Sequence, residues 1–370
     1  MGKRELLIIA GFIVIGTVVY QLTAPDPKPG EKAFSFSGLV GALRREVRGN
    51  NANATDRREG TFKIPDSLSE VRIAGTVHKV TVVGENRADV AYDLAIDSTG
   101  PDEATALGYA KRATFRNDDL GDILALRVAF PSEARQTATL FLRVPSRLTV
   151  RLEQTATRNA NISDIKALSI EGGFGDLTVV NVSGSVTGST RGGDLVLQDV
   201  GATTMTLRNT SAKVIRPRGT TKITATGGEC TIDHAVGPIE FEQANGAEVQ
   251  IIAPQGPVRA TGSGGQITVT DPRKEVAIDV RRAEIEVSLD QPVPVSALGT
   301  DEVVRLLLAD NVAVALDAAA TEAGKIDATE FDLTPETNEQ GAKLTHAFPK
   351  GTMRVVLRTQ RGEIVIRKRK

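Results

Sequence analysis

Gly193-Asp194-Leu195-Val196-Leu197 is one copy of a pattern that decides the fold. It reads small residue, polar residue, then apolar–x–apolar. The pattern recurs at Gly175-Asp176-Leu177-Thr178-Val179, Gly228-Glu229-Cys230-Thr231-Ile232, Ala247-Glu248-Val249-Gln250-Ile251, Gly265-Gln266-Ile267-Thr268-Val269 and Ala283-Glu284-Ile285-Glu286-Val287. A weaker copy, Ala212-Lys213-Val214-Ile215-Arg216, fills the remaining gap, so that successive starts lie 18, 19, 16, 19, 18 and 18 residues apart. A second series of small residues runs between them at Gly184, Gly201, Gly219, Gly237 and Gly256, spaced 17, 18, 18 and 19. Each unit therefore holds two short β segments. A short fixed period marks a solenoid, in which each coil buries its apolar row against its neighbours.

Alternation within a copy sends Leu195 and Leu197 to one face and Asp194 and Val196 to the other. One coil on, the inward places fall to Val214, then to Cys230 and Ile232, Val249 and Ile251, Ile267 and Val269. Stacked about 4.8 Å apart, these side chains make continuous apolar columns. Glycine at each strand entrance is expected to supply the φ > 0 corners of so tight a coil. The runs have period 2, are rich in Val, Ile and Thr, and carry a Gly roughly every nine residues, which excludes a helical reading. A β-sandwich with evenly spaced strands is the competing architecture; two interleaved series at one period favour the solenoid.

Composition fits such a core. Only 4% of the 370 residues are aromatic and none is Trp, and the net charge is −1. Neither a basic field nor aromatic stacking platforms are present for nucleic acid. The single cysteine, Cys230, excludes an intramolecular disulfide and a Cys-based zinc cluster, and its inward place makes it a small core hydrophobe.

Taken from the start, residues 1–23 read as a signal anchor. Lys3 and Arg4 precede an uncharged run over residues 6–22 (LLIIAGFIVIGTVVYQL), opened by Leu6 and closed by Leu22. The run is at the short end of a membrane span. The preceding positive charge places the N-terminus in the cytoplasm and the rest in the periplasm or outside the cell, as in a single-pass inner-membrane protein. A cleaved signal peptide is the alternative. Residues 24–59 read as a Pro-rich and polar juxtamembrane linker, with apolar residues at helical spacing between Phe36 and Val47. Residues 60–368 read as the solenoid: an irregular first part over 60–154 with one helical insert near 101–114, regular coils over 155–290, and C-terminal coils over 291–368. The basic end Arg367-Lys368-Arg369-Lys370 reads as a charged cover on an open sheet edge.

Several stretches resemble the bacterial DUF4097 family, an adhesin-like domain. They are Phe62-Lys63-Ile64-Pro65, Val71-Arg72-Ile73-Ala74-Gly75, Leu142-Arg143-Val144-Pro145-Ser146, the central Gly-Asp-Leu coils, and Leu357-Arg358-Thr359-Gln360-Arg361-Gly362-Glu363-Ile364. The resemblance covers roughly residues 60–368 and implies a single-stranded parallel β-helix on extracytoplasmic or membrane-anchored proteins, with no catalytic residues to carry over. This sequence departs from the pattern at Asn159-Ala160-Asn161-Ile162, where the family has Gly, which puts the first coil's corner in question.

The chemistry-bearing residues form no catalytic or cofactor motif. His78, His234 and His346 are far apart in sequence, no Gly-x-Ser-x-Gly frame occurs, and the Gly-rich stretches precede no helix that could hold a phosphate. The cluster Asn117-Asp118-Asp119-Leu120-Gly121-Asp122 misses calcium-loop spacing. Neither metal nor cofactor is expected. One array is ordered: Asp176, Asp194, Lys213, Glu229, Glu248, Gln266 and Glu284 share the outward place after the small residue. Its carboxylates, Asp176, Asp194, Glu229, Glu248 and Glu284, are either a solvated face or a docking strip for a basic partner or divalent cations. The expectation is a non-enzymatic, membrane-anchored envelope protein with an adhesion, scaffold or signalling role, bound to an envelope or cell-surface partner. Two alternatives are a polysaccharide-active β-helix enzyme and a self-polymerising cytoskeletal solenoid.

Overall fold

A computed structural model describes residues 52–131, 135–153, 157–172 and 175–369. The expected anchor at 6–22 lies outside the described residues, among which no helix is long and apolar enough to cross a membrane.

The described chain is all-β apart from the helix Glu103–Arg112 and one 3-10 turn, and its strands form two long sheets. Between Ala167–Glu171 and Val304–Leu308 consecutive strands alternate between the sheets, and each pairs in parallel with the equivalent strands one coil before and after. This is the arrangement of a β-helix, and it follows from the period-2 pattern. In the strand Asp194–Gln198, Leu195 and Leu197 are buried while Asp194 is exposed, and the same alternation repeats coil after coil. The two inward rows make one apolar core running from Leu68 to Ile366.

The register corrects the sequence reading at one coil. Asp194 pairs with Ser211, Leu195 with Ala212 and Val196 with Lys213. The motif copy there begins at Thr210, two residues before the assigned start, so the spacings 19 and 16 become 17 and 18. Ala212 is an inward residue, 4% exposed; being small, it passed for the corner residue. The 19-residue coil that follows has a local cause. Thr226 pairs with Asn245 while Ala225 pairs with Gln243, so Ala244 is a bulge.

The corners also differ from expectation. At Gly193 φ is +67°, as a glycine corner requires, but Gly201 of the second series carries no positive φ. Its glycine is needed for another reason: a Cβ there would lie 1.9 Å from the Gly184 carbonyl oxygen of the coil below. The left-handed corner beside it is taken instead by Asp164, Asn181, Asp199, Arg216, His234, Ala253 and Asp271, stacked coil on coil. Asn and Asp tolerate this conformation best. Side chains stitch part of this corner: Asn181 donates to Asp164 at 3.1 Å, and Arg216 grips Asp199 through two hydrogen bonds at 2.8 and 2.6 Å. At the questioned place the described residues next to Asn159 keep the ladder, Asp176 N donating to the Arg158 carbonyl at 2.7 Å and Asn159 N to the His78 carbonyl at 3.2 Å.

Both ends are built out of sequence order. At the start, the coil Glu70–Gly75 and Lys79–Glu85 lies between the later coil Ile123–Ala129 and Gln136–Pro145 and the coil Thr149–Glu153 and Asn159–Ser163. Antiparallel strands cap it: Asp89–Gly100 and Ala52–Lys63 in one sheet, Thr114–Asp119 in the other. The strand Ala52–Lys63 begins inside the segment read as linker. Every second residue is half-buried, and Arg58 caps the helix, donating to the Ala113 carbonyl at 2.9 Å. The helix itself begins where expected, with Asp102 as N-cap accepting from Thr105 N at 2.8 Å. At the far end the strands Arg354–Gln360 and Glu363–Lys368 insert between Val295–Thr300 and Val304–Leu308 on one side and Ala315–Thr321 and Lys325–Asp327 on the other. The hairpin Glu336–Asn338 and Gly341–Ala347 extends that end in one sheet, and Lys325–Asp327 is the last described strand of the other. Arg367 and Lys368 pair with Val304–Leu308 on one side, whereas Lys325–Asp327 on the other side reaches only as far as Val365. The coil that carries them has neighbours on both sides.

Candidate functional site

The ordered outward row lies on the sheet containing Asp176–Val180 and Glu248–Ile252. Four of its carboxylates form two neighbouring pairs. Asp176 and Asp194 are adjacent, Asp194 N donating to Asp176 Oδ1 at 3.3 Å, and Asn159 Nδ2 donates to Asp176 Oδ2 at 3.3 Å from the coil below. Glu229 is paired in register with Glu248, and the row continues through Gln266 to Glu284. Asp176, Asp194, Glu229 and Glu248 are exposed, whereas Gln266 and Glu284 are half-buried.

Lys213 does not belong to the row. Exposed Ser211 occupies that place, and Lys213 stands in the neighbouring outward column between Val196 and Thr231. The expected acid–lysine–acid sequence up the face is thus replaced by acid–serine–acid. One coil past Glu284 the row place falls to Val303, and Arg305 stands in the neighbouring outward column opposite Glu286. Arg305 ion-pairs with Glu284 and, at 3.1 Å, with Glu286. Glu284 is therefore an internally compensated carboxylate, and the free stretch of the strip is Asp176, Asp194, Glu229 and Glu248.

Beside Glu229 and Glu248 the face dips into a shallow polar groove of about 210 Å³, lined by Thr231, Gln250, Gln266 and Thr268 as well. The hydroxyls and amides in that groove follow from the outward places of the strands Glu229–Asp233, Glu248–Ile252 and Gln266–Thr270. Chemically the strip offers hydrogen-bond acceptors at the inter-strand spacing of about 4.8 Å, suited to a row of basic groups on an extended partner.

The three histidines are not brought together. His78 accepts from Ala138 N at 3.2 Å near the first coil, His234 hydrogen-bonds Asp233 at 2.7 Å at a mid-stack corner, and His346 stacks edge-on against Phe348 in the far hairpin. Cys230 is buried beneath the groove in the inward column between Ala212 and Val249, and burial pushes its thiol up to about 12. The feature that the sequence reading missed is the set of arginine–carboxylate pairs holding the C-terminal coil, described below. Its signal was the series Arg354, Arg358, Arg361, Arg367, Arg369, of which only Arg367 and Arg369 entered the reading of a charged end.

No family model matches the chain, so none supports the DUF4097 resemblance, and no curated protein matches it either. Solved structures that are similar to it include a "putative cell adhesion protein" from Clostridium sporogenes, 9% identical over 85% of this chain and 100% of that one, with a TM-score of 0.20. A "putative adhesin" from Parabacteroides distasonis is 11% identical over 66% and 94%, with a TM-score of 0.36. A "putative lipid binding protein" from the same organism is 12% identical over 68% and 95%, with a TM-score of 0.31. At such TM-scores these likenesses carry no inference of activity or partner.

Proposed function

We propose that the chain is a non-enzymatic, adhesin-like envelope protein of the DUF4097 type, anchored in the inner membrane by residues 6–22 and holding its coils outside the cytoplasm. The observation that carries this reading is architectural. The stack is filled by side chains from Leu68 to Ile366, ends in antiparallel strands at three of its four described sheet ends, and exposes an ordered outward row along one face. That design presents surface on a stiff support. Antiparallel strands at three of the four described sheet ends favour it over a self-polymerising filament, which must continue its parallel stack from copy to copy. Its partner is an envelope or cell-surface protein.

The topology is tested with a reporter that is active only in the periplasm, fused after Lys370. Reporter activity and recovery of the protein with membranes are expected. Replacing residues 6–22 with a cleavable signal releases the protein in soluble form. An inactive reporter overturns the orientation, and a mature N-terminus found beyond Leu22 overturns the anchor. Photo-crosslinkers at Thr231 and Gln250 test the presented face in cells. Crosslinks that form equally well at Lys222 and Thr224 on the opposite sheet would remove any privilege of this face.

A further inference from the structure

The coil Arg354–Gln360 and Glu363–Lys368 is the last to be made, yet it occupies a slot between two coils made before it. Without it, four strand edges are unpaired: Val295–Thr300 and Val304–Leu308 on one side, Ala315–Thr321 and Lys325–Asp327 on the other. The slot also holds its core residues Val355, Leu357, Ile364 and Ile366, all at most 1% exposed.

Charge gives the slot a key. Each of the five arginines of residues 354–369 meets a carboxylate on another segment. Arg354 and Arg358 both reach Asp317 at 2.9 Å. Arg361 joins Asp301 at 2.6 Å and Glu322 at 2.9 Å, one from each flanking coil. Arg367 pairs with Asp327, with Glu330 at 3.6 Å, and Arg369 pairs with Asp271. Exposed pairs of this kind add little to stability, but five on one segment select one register and one segment.

We propose that the slot is a strand-acceptor site, keyed by Asp271, Asp301, Asp317, Glu322 and Asp327, which takes this chain's own C-terminal coil and can take that of a second copy instead. The occupant is fixed by complementarity: two strands of the right length, with arginines at these spacings and apolar residues at Val355, Leu357, Ile364 and Ile366. The connection that would cross to a second copy, residues 348–353, contains Gly351 and a left-handed Lys350 at φ +66°, a turn rather than a strand. Exchange of such an element between copies requires no new contacts.

Two measurements on the full-length chain test this. In wild-type protein, amides of residues 355–368 and 315–326 are expected to exchange as one unit, roughly tenfold or more faster than those of residues 195–251. Exchange in step with the central coils overturns the proposal. In the full-length double variant Arg361→Glu, Arg367→Glu, the C-terminal amides lose further protection. A biotinylated peptide of residues 354–369 is then captured by the variant and not by wild type, and the peptide carrying the same two substitutions is not captured. Unchanged protection in the variant means the arginines are not the key, and open amides without capture mean there is no acceptor site; either result overturns the proposal.

Discussion

Arg369 ion-pairs with Asp271, a residue 98 positions earlier in the chain. Asp271 is a left-handed corner residue directly after the strand Gln266–Thr270, so the final residues reach back across intervening coils, while Arg369 N donates to the Leu308 carbonyl at 2.8 Å. Most carboxylates that receive the C-terminal arginines are held below the usual carboxylate range: Asp301 by hydrogen bonding to Arg361, Asp317 by Arg358 and Arg354, Asp327 by Arg367, and Glu322 by Gln360 and Arg361. A depressed folded pKa contributes stability that is present above the unfolded value, near 4, and lost as pH falls through the folded value. The far end is therefore expected to be indifferent to pH between about 5 and 8 and to loosen below about 4. Amide exchange of residues 354–368 at pH 3 and pH 6, corrected for intrinsic rates, checks this. Equal protection at both values would show that the pairs do not hold the coil.

Gly262 separates two uses of glycine. Its φ is +140°, and an added Cβ would lie 1.9 Å from the Gln243 carbonyl oxygen at the bulged coil. Gly246, on the same side of the stack, has φ +58° and open space around it. Gly262→Ala is expected to destabilise by about 3 kcal/mol, from strain together with overpacking. Gly246→Ala should lose only about 1 kcal/mol, the cost of placing alanine in the left-handed region. Denaturant midpoints at unchanged slope measure the difference. Similar losses would show that the backbone can shift at Gly262.

Much of the middle of the fold was legible because its rule is local. A small residue, an outward polar residue and two inward apolar residues fix a coil wherever they recur, and Leu195, Val249 and Ile267 are buried as their places require. The same rule failed at Ala212, since a small side chain suits both a corner and a core, and only pairing with Leu195 decides between them. The ends were illegible for a different reason. The apolar alternation of residues 354–368 does not say that they insert between coils 295–308 and 315–327, because strand order is a long-range property and the arginines that mark the place name no partner until the carboxylates of other coils are brought beside them. Of the candidate strip, the row itself was readable; that Ser211 and not Lys213 interrupts it depended on register.

A coil deletion tests the stack. Val236 donates to the Pro217 carbonyl as Gln255 donates to the Ala235 carbonyl, so the two positions are equivalent one coil apart. Removing residues 236–254 should leave a shorter folded stack with intact columns. Removing residues 236–245 takes out the strand Ile239–Asn245 alone and should expose the region to proteolysis. Equal protease sensitivity in the two deletions would count against the stacked coils.

Cys230 reports on the column beneath the groove. Its side chain is 2% exposed and its thiol is pushed up to about 12 by burial, so thiolate is scarce at neutral pH and labelling of the native protein should be slow. Cys230→Val fits beside the small Ala212 and is expected to change stability by less than about 1.5 kcal/mol. Cys230→Asp buries an unpaired charge and should lose several kcal/mol. Rapid native labelling would show that the column opens more readily than its packing implies.

The strip itself is decided by Glu229 and Glu248, adjacent carboxylates with neither a lysine nor an arginine between them. Folding does not require acids at these places, since Gln266 occupies the equivalent position one coil on and Ser211 one coil before. Two neighbouring ionised carboxylates in solvent repel modestly, and salt screens that repulsion. The double variant Glu229→Gln, Glu248→Gln should therefore melt at a slightly higher temperature at low ionic strength, with the gap closing as salt is added. If the row docks a basic partner, the same variant loses partner recovery in a pull-down while the fold is kept, and wild-type recovery falls with salt where that of the variant does not. A higher melting temperature with unchanged recovery at every salt concentration would reduce the strip to a solvated face and leave the presenting surface to be sought on the opposite sheet.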